Sequence, residues 1–487
     1  MGLPKVPFFF FVIFVSFVVA LPSTASAQDA EPKVTATISS ITRVESWSYF
    51  PPAPDPLELT PRPLAEPTYT FLGHRSDIGI RVDGPRFGLS GAFNYVRLEN
   101  LPTNAIGPGA LGNGAFYFAG VGVPYSYQLY VSEIALRVRS RDERTSASIG
   151  RMPYTSGGEV TSTQPALETL KRERLHSRLI GNAESSMYQR RFDGARVDLD
   201  RPAWRLTSSA FVATQGGFEE SANLSMPKVQ VGSMVFTRKS AAAREWQAFA
   251  HLYRDRRASA VVPDNRVVPD KPVDVTIAAI GASHARVASI RTGEVDTILW
   301  AAGEFGDWYG QPHRAASVVL EAGHRWTNAP LSPWLRAGYL FASGDRDPED
   351  QRHGTFFQML PSSRRYALSA VYAQMNLHDA FVQVLAEPGR VKTRLDLHRV
   401  ALASGSDLWY HGSGAMASRG RFFGFSGRQT GGAASLGTVL EGTVEVTIKR
   451  YWSLRGYAGT MWGGSAVRRS FSDTRLSVWH VENIFHF

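Results

Sequence analysis

The chain has 487 residues, a net charge of +10 and no cysteine, which excludes disulfides and thiolate metal sites. Mean hydropathy is −0.17, and beyond the N-terminus charges, glycine or proline interrupt every apolar run, which excludes a bundle of membrane-spanning helices. Eight of the 53 basic residues are lysine, which leaves 45 arginines. The planar guanidinium is the side chain suited to binding carboxylate or phosphate.

The first residues have the pattern of an export signal. An apolar run, FFFFVIFVSFVVAL, follows Lys5, and the small residues ASA at 25–27 match the site that a signal peptidase cuts. A membrane anchor is the weaker alternative, because the run is shorter than the roughly 20 residues of a spanning helix. We therefore predict a signal peptide over residues 1–27 and a single mature domain over residues 28–487.

Strand-like segments recur from residue 33 to the end, with no helical pattern long enough to build a domain. Each segment places apolar side chains on one face and polar side chains on the other, with a period of two residues. In Lys33–Glu45, Val34 and Ile38 share one face, whereas Arg43 and Glu45 share the other. The same alternation runs through 71–83, 129–139, 391–401 and 440–448. In 129–139, the predicted apolar face comprises Tyr130, Ile134, Leu136 and Val138.

The polar faces carry charges of both signs, which favours a closed lumen where arginine and carboxylate partner one another across strands. A soluble β-sandwich is the alternative, but its polar face would be exposed to bulk water. An open sheet edge cannot lie in lipid, so a sheet in the membrane must close. Roughly 460 residues remain after cleavage, and at about 10 residues per strand plus connections they allow about 16–20 strands. The prediction is an all-β protein, a single closed antiparallel transmembrane β-barrel wide enough for a channel.

The C-terminal segment RLSVWHVENIFHF places Trp479, Val481, Phe485 and Phe487 on one face. A terminal aromatic on an amphipathic last strand resembles the signal by which outer-membrane barrels are recognised for assembly. The alternative is a chance terminal phenylalanine. We therefore expect the bacterial outer membrane as the location, with the barrel-assembly machinery and membrane lipid as partners.

Several segments together resemble the alginate export family of outer-membrane channels. They include SIGRMPYTSGGE at 148–159, RLIGNAESSMYQRRFDGARVDL at 178–199, PWLRAGYLFASGDRDPEDQRHGTFFQMLPSSRRYA at 333–367 and RLDLHRVALASGSDLWYHGSG at 394–414. The resemblance implies a monomeric barrel of 18 strands with an arginine-rich, carboxylate-flanked pore that passes an anionic polysaccharide. The positions that match the family's pore are Arg75 and Arg455, with Glu133 as a carboxylate partner.

Alternation alone adds further inward arginines to this candidate pore lining. An inward guanidinium lowers the cost for a carboxylate to enter a narrow pore, and nearby acidic groups keep its binding weak enough for release. The substrate expected from these features is an alginate-like uronate polymer or its oligomers. The arginines predicted from alternation are Arg43, Arg81, Arg137, Arg196, Arg336 and Arg394.

No catalytic residue, metal site or cofactor is predicted. The histidines are scattered, and the sequence has no HExxH, GxSxG or phosphate-loop motif. His398 lies on a predicted inward face without a suitably spaced serine. The basic run KRERLHSR at 171–178 is interpreted as a loop that meets anionic lipid headgroups or lipopolysaccharide, not nucleic acid. Two alternatives to a channel remain open: a lipase-like barrel enzyme and a structural barrel scaffold.

Deletion of Phe487 tests the assembly signal. We expect the shortened chain to cross the inner membrane normally but to assemble poorly, because the terminal aromatic is the proposed recognition element. The measurement is the fraction of protein that stays folded on unheated gels after outer-membrane fractionation. Normal assembly without Phe487, or recovery of the intact protein from the soluble periplasm, would contradict the prediction.

Overall fold

The computed structural model describes residues 32–53, 64–105, 111–240, 243–258, 260–266, 268, 272–362, 371–418 and 422–487. The predicted signal peptide, residues 1–27, lies outside the described residues and stays a prediction. Among the helices of the described part, none has the length and apolar character required to cross a membrane.

The described residues form twenty strands and three short helices, joined by connections. The strands up to β10 are β1 (Lys33–Ser48), β2 (Thr68–Asp83), β3 (Phe87–Glu99), β4 (Ser126–Arg139), β5 (Thr145–Met152), β6 (Phe192–Asp200), β7 (Trp204–Thr214), β8 (Ser225–Arg238), β9 (Arg244–Asp255) and β10 (Val275–Ile290). The remaining strands are β11 (Gly293–Trp308), β12 (Gln311–Arg325), β13 (Trp334–Ala342), β14 (Leu377–Ala386), β15 (Val391–Ala401), β16 (Trp409–Gly412), β17 (Phe425–Arg428), β18 (Ser435–Lys449), β19 (Trp452–Gly463) and β20 (Arg475–His486). The helices are α1 (Asn113–Val121), α2 (Pro165–Arg174) and α3 (Ser465–Ser470).

Eighteen of these strands form one closed antiparallel sheet. Each strand pairs with its neighbours in the chain, β15 pairs with β18, and β1 pairs with both β2 and β20. Phe487 continues this closure, because its amide donates to the Ile38 carbonyl at 2.7 Å. Strands β16 and β17 form a separate hairpin within the connection between β15 and β18. The predicted closed barrel of about 18 strands is therefore confirmed.

Alternation along the strands separates a lipid-facing surface from the lumen. On β1, Val34 and Ile38 are 60% and 50% exposed, whereas Arg43 and Glu45 are buried. Whereas Phe93 and Trp479 lie mid-strand, several other aromatic side chains exposed on the outer surface lie near the strand ends, where they suit the boundaries between water and lipid. At one end these are Phe87, Trp246, Trp326, Tyr451 and Phe487, and at the other Tyr125, Tyr127, Phe305 and Trp462.

One predicted face is wrong at a single residue of β4. Tyr130 was expected on the apolar outer face, but it lies inward opposite Asn94, while the neighbouring Leu129 is 67% exposed. The register of β3 and β4 shifts between Ala92 and Phe93, which leaves Ser132 as an extra residue on β4. A β-bulge adds one residue to a strand and so inverts the alternation on one side of it.

The two ends of the barrel differ in the length of their connections. One end has short turns such as 84–86, 201–203, 291–292 and 450–451, and it also holds the start of β1 and Phe487. The other end has long connections, of which the longest are 153–191, 343–376 and 402–434. Short turns are periplasmic in outer-membrane barrels, and long loops are extracellular. The long loops are therefore extracellular in origin.

Several long loops fold back into the barrel and build an apolar core inside it. Leu170, Leu179 and Ile180 of the connection 153–191 are at most 1% exposed, and Phe356 and Phe357 of 343–376 are fully buried. Amides of the two loops bond to each other's carbonyls, since Leu360 donates to Leu179 at 2.8 Å. We name the connection 153–191 the inserted loop. It narrows the lumen that 18 strands enclose.

Ile134, near the middle of β4, tests the lipid-facing surface. We expect Ile134→Arg to lower the free energy of unfolding in bilayers by up to about 4 kcal/mol, because a charge on the lipid face is costly near the midplane. Ile134→Ala is the matched control, since it removes the apolar side chain without adding charge. Equal stability of the two variants in urea titrations would show that this position does not face lipid.

Candidate functional site

The inward faces of the barrel carry opposite charge on opposite sides. One side presents carboxylates from β9, β11, β12, β14, β15 and β18, which together we name the acidic wall. None of these residues is more than 6% exposed. The acidic wall comprises Glu245, Asp255, Asp296, Glu304, Glu321, Asp379, Asp396 and Glu441.

Glu321 is the point at which the inserted loop is held to this wall. It accepts a hydrogen bond from Arg174 Nε at 2.9 Å, and Arg178 of the same loop lies 3.7 Å away. Arg336 on β13 donates to Glu321 at 2.9 Å and lies 3.1 Å from Asp296. Buried charges must be paired because transfer of a lone charge out of water is costly.

The basic run at 171–178 is therefore not a lipid-binding surface, and that prediction is wrong. Lys171, Arg174 and Arg178 are at most 2% exposed inside the barrel. Lys171 Nζ lies 2.8 Å from a carboxylate oxygen of Glu245 and donates to the Val160 carbonyl at 2.6 Å. The physical reason is that the acidic wall offers buried carboxylates at these positions, a stronger attraction than an exposed headgroup surface.

The side formed by β2, β4, β6 and β7 presents six arginines interspersed with carboxylates such as Asp77, Asp83 and Asp198, and we name it the basic wall. Its members have acidic neighbours, and apart from the buried Arg75 they stay more open: Arg196 lies 2.9 Å from Asp198, with its side chain 21% exposed. Arg137 hydrogen-bonds Ser148 at 3.5 Å and has no ion pair to another described residue. The basic wall comprises Arg75, Arg81, Arg137, Arg139, Arg196 and Arg205.

Four arginines of the basic wall form a cluster toward the periplasmic end. Arg81, Arg139 and Arg196 all act electrostatically on Arg137. Arg81 and Arg137 are exposed, and Arg139 is partly exposed while it pairs with Asp83 at 2.6 Å. We name these four residues the periplasmic cluster. Guanidinium groups gathered without equal counter-charge attract a polyanion.

A row of alternating charge crosses the seam where the barrel closes. Arg455 lies opposite both Glu445 and Glu482 in the strand register, and Arg43 lies opposite Glu482 from the other side. Arg455 lies 3.1 Å from Glu482, and Arg43 lies 2.6 Å from the same carboxylate. Arg43 also donates to the Ser185 carbonyl of the inserted loop at 3.0 Å. We name this row the seam ladder.

All nine residues predicted to line the pore lie on inward faces, but in different surroundings. Arg43 and Arg336 are buried in ion pairs, whereas the Arg455 side chain is 40% exposed. Arg394 pairs with Asp396, and Arg75 pairs with Asp77 at 3.0 Å while donating to the Ser186 carbonyl. Contact with a substrate stays a prediction for all of them. The remaining predicted residues, Arg81, Glu133, Arg137 and Arg196, border the open side of the lumen.

Sequence reasoning missed other inward basic residues. Arg205 alternates with Thr207 and Ser209 on β7, so the period of two was available to find it. Arg191 lies where Asp77 and Glu133 act on it electrostatically, although it precedes β6 and no strand pattern includes it. Lys171 belongs to a helix, whose direction into the barrel only the fold reveals.

Two ionisable groups of the inserted loop show that its packing excludes water. Burial lowers the pKa of Arg190 to about 10, with Arg257 adding repulsion, although it stays charged at neutral pH. Carbonyls of Gly181, Ser413 and Ala415 accept its hydrogen bonds, which ties the inserted loop to the connection 402–434. Burial likewise raises the pKa of Glu159 to about 7.

Comparison with known proteins points to one family. A family model described as alginate export matches residues 170–480, and among curated proteins none matches this sequence. The fold is similar to OccAB2 of Acinetobacter baumannii, with a TM-score of 0.57 at 7% identity over 93% of this chain and 98% of that chain. It is also similar to a BenF-like porin from Pseudomonas fluorescens Pf-5, with a TM-score of 0.54 at 9% identity over 93% and 98% of the two chains. A third similar structure is the outer membrane protein opdK from Pseudomonas aeruginosa, with a TM-score of 0.53 at 9% identity over 93% and 98%.

Glu321→Gln tests whether the acidic wall holds the inserted loop. We expect the free energy that holds the inserted loop against the acidic wall to fall by about 3–5 kcal/mol. The reason is that Arg174, Arg178 and Arg336 lose their shared carboxylate while they stay buried. The readouts are trypsin cleavage within 171–178 and current noise in planar bilayers, both of which should increase. Glu99→Gln is the control, since Glu99 forms an exposed pair with Arg97 on the outside. Unchanged cleavage and noise would contradict this role for Glu321.

Proposed function

Because this chain belongs to the alginate export family and is an outer-membrane channel, we propose that it passes an anionic polysaccharide along its basic wall. The proposed substrate is an alginate-like uronate polymer or its oligomers. The pore-lining residues proposed are the nine inward positions predicted from the sequence. Arg81, Arg137, Arg196 and Arg455 face the passage, with Glu133 beside it, whereas Arg43, Arg75, Arg336 and Arg394 hold the surrounding wall.

The observation that carries this proposal is that the inserted loop covers the acidic wall but leaves the basic wall accessible. The inserted loop covers the acidic wall with Lys171, Arg174 and Arg178, and so removes its carboxylates from the passage. The basic wall stays accessible, with Arg81 and Arg137 exposed. The surface left for a solute is therefore positively charged, which favours anions and opposes cations.

Transport begins, in this proposal, at the periplasmic cluster. Arginine keeps its charge at every working pH, so the field it creates in a narrow lumen is permanent. A polymer with a carboxylate on every sugar can exchange one guanidinium for the next as it advances. Asp77, Asp83 and Asp198 compete for the same arginines, which keeps each contact weak enough for release.

A lipase-like enzyme has less support from the site. Ser233 and His251 are hydrogen-bonded at 2.9 Å, a pairing that nucleophilic catalysis could use. Both residues are buried on inward faces, and Ser233 also hydrogen-bonds Tyr154 of the inserted loop at 2.7 Å. A nucleophile for lipid substrates would face the membrane. The pair instead helps to anchor the inserted loop to the wall.

Charge reversal at Arg75 and Arg455 tests the proposed selectivity. We expect the wild type to prefer anions in planar bilayers, and Arg75→Glu and Arg455→Glu each to shift the reversal potential toward cation preference. The Arg455 variant should shift it further, because Glu445 loses the arginine that pairs with it and Glu482 keeps only Arg43 of its two arginines. Raising salt should weaken the preference, since the Debye length falls from about 10 Å at 0.1 M to about 3 Å at 1 M.

Arg97→Glu is the matched control, because Arg97 is an exposed arginine on the outer face of β3. Block of the current by oligouronates provides a second readout. In the double variant Arg81→Ala, Arg137→Ala, oligouronates added on the periplasmic side should block the current less than in the wild type. Block by oligouronates added on the other side should weaken less. Unchanged reversal potentials in both charge-reversal variants at low salt would overturn the proposed pore lining.

A further inference from the structure

A histidine and three carboxylates meet on the acidic wall, in a group that the proposed transport does not use. Asp396 and His398 lie two residues apart on the inward face of β15, and Asp396 lies directly opposite Glu441 of β18 in the register. The ligand atoms of Asp396, His398 and Glu441 all lie within 4.8 Å of one another. Each of the three residues is only 1% exposed. The group therefore brings one imidazole and two carboxylates together in a buried place.

The hydrogen bonds around His398 leave one ring nitrogen available. Its Nδ1 lies 2.9 Å from Asp379, and Asp379 in turn accepts a hydrogen bond from Tyr372 at 3.0 Å. Nε2 is buried without a hydrogen-bond partner among the described residues, and so is Oδ1 of Asp396. A carboxylate bound to one imidazole nitrogen, with the other nitrogen free, is the arrangement that orients a histidine toward a metal ion.

The carboxylates of this group lie close together in a buried place. Asp379, Asp396 and Glu441 contribute three negative charges, and Arg394 is the cation that pairs with Asp396. Carboxylates directly opposite one another across two strands repel, and burial increases the cost. Tyr457 donates a hydrogen bond to Glu441 at 3.0 Å, which orients that carboxylate but adds no positive charge.

We propose that Asp396, His398 and Glu441 bind a divalent transition-metal ion of the zinc class, with Asp379 orienting His398. Imidazole with carboxylate is a ligand set for Zn²⁺ and its first-row neighbours, whereas Ca²⁺ and Mg²⁺ prefer oxygen ligands alone. Tetrahedral ligands at about 2.1 Å from Zn²⁺ lie about 3.4 Å apart, so small side-chain rotations close the site around the ion.

The metal would fix the part of the acidic wall on which the inserted loop rests. The His398 ring stacks on the Phe381 ring, with centroids 5.4 Å apart. The Arg174 guanidinium lies over the same Phe381 ring, 4.6 Å from its centroid. The ion thus connects β15 to β18 and supports the contact of Arg174. This role is independent of which polymer the channel passes.

Metal content of the purified full-length protein in mild detergent tests the site. The protein is stripped with a chelator and dialysed against Zn²⁺, and metal per chain is measured by mass spectrometry. We expect one Zn²⁺ per chain, an unfolding midpoint that rises with Zn²⁺, and no such response to Ca²⁺ or Mg²⁺. Cobalt in place of zinc should give visible absorption bands that shift when His398 is replaced.

Substitutions assign the ligands. His398→Gln, Asp396→Asn and Glu441→Gln should each abolish stoichiometric binding, and Asp379→Asn should weaken it by about 10- to 100-fold. Glu445→Gln is the control, because Glu445 lies on the same face of β18 but pairs with Arg455. Heat-modifiability gels verify that each variant is folded. The proposed site is wrong if the wild-type protein binds no Zn²⁺ or prefers Ca²⁺. It is also wrong if the folded ligand variants bind Zn²⁺ as well as the wild type does.

Discussion

The pairing of buried charges across the lumen is the interaction on which the arrangement of this barrel depends. A closed sheet in lipid directs its polar side chains inward, and wherever a loop covers them they need a counter-charge. Glu321 meets this need with Arg174 and Arg178 of the inserted loop and Arg336 of the wall. These contacts decide on which side of the barrel the loop lies, and therefore which charges remain open to a solute.

The closure of the barrel uses the same chemistry. In the seam ladder, Glu445, Arg455, Glu482 and Arg43 alternate in sign across four adjacent strands. A slip of one residue would turn every one of these charges toward lipid. Backbone pairing of β1 with β20 closes the sheet, and the ladder specifies its register. Because Arg43 also bonds the Ser185 carbonyl, the seam is connected to the inserted loop.

The proposed selectivity would follow from an excess of positive charge that the packing leaves uncompensated. The loop cations neutralise the acidic wall, whereas Arg81 and Arg137 stay exposed on the opposite side. In the proposed transport, an anionic polymer would meet fixed positive charge there, and neighbouring carboxylates would limit how tightly it is held. The proposed metal site belongs to the covered side, where it would remove the repulsion between Asp396 and Glu441. Structural stability and substrate contact thus fall on different walls.

The sequence by itself determined the barrel, its approximate strand number and the inward direction of the nine predicted residues. These properties depend on a period of two, on chain length and on the terminal strand, all of which are local. Tertiary structure alone decided which inward arginines are open and which are neutralised. Arg174 meets Glu321 and Arg43 meets Glu482 across long stretches of chain, and no local pattern encodes such partners. The inward turn of Tyr130 has a similar reason, since one extra residue in β4 inverts the alternation without altering its composition.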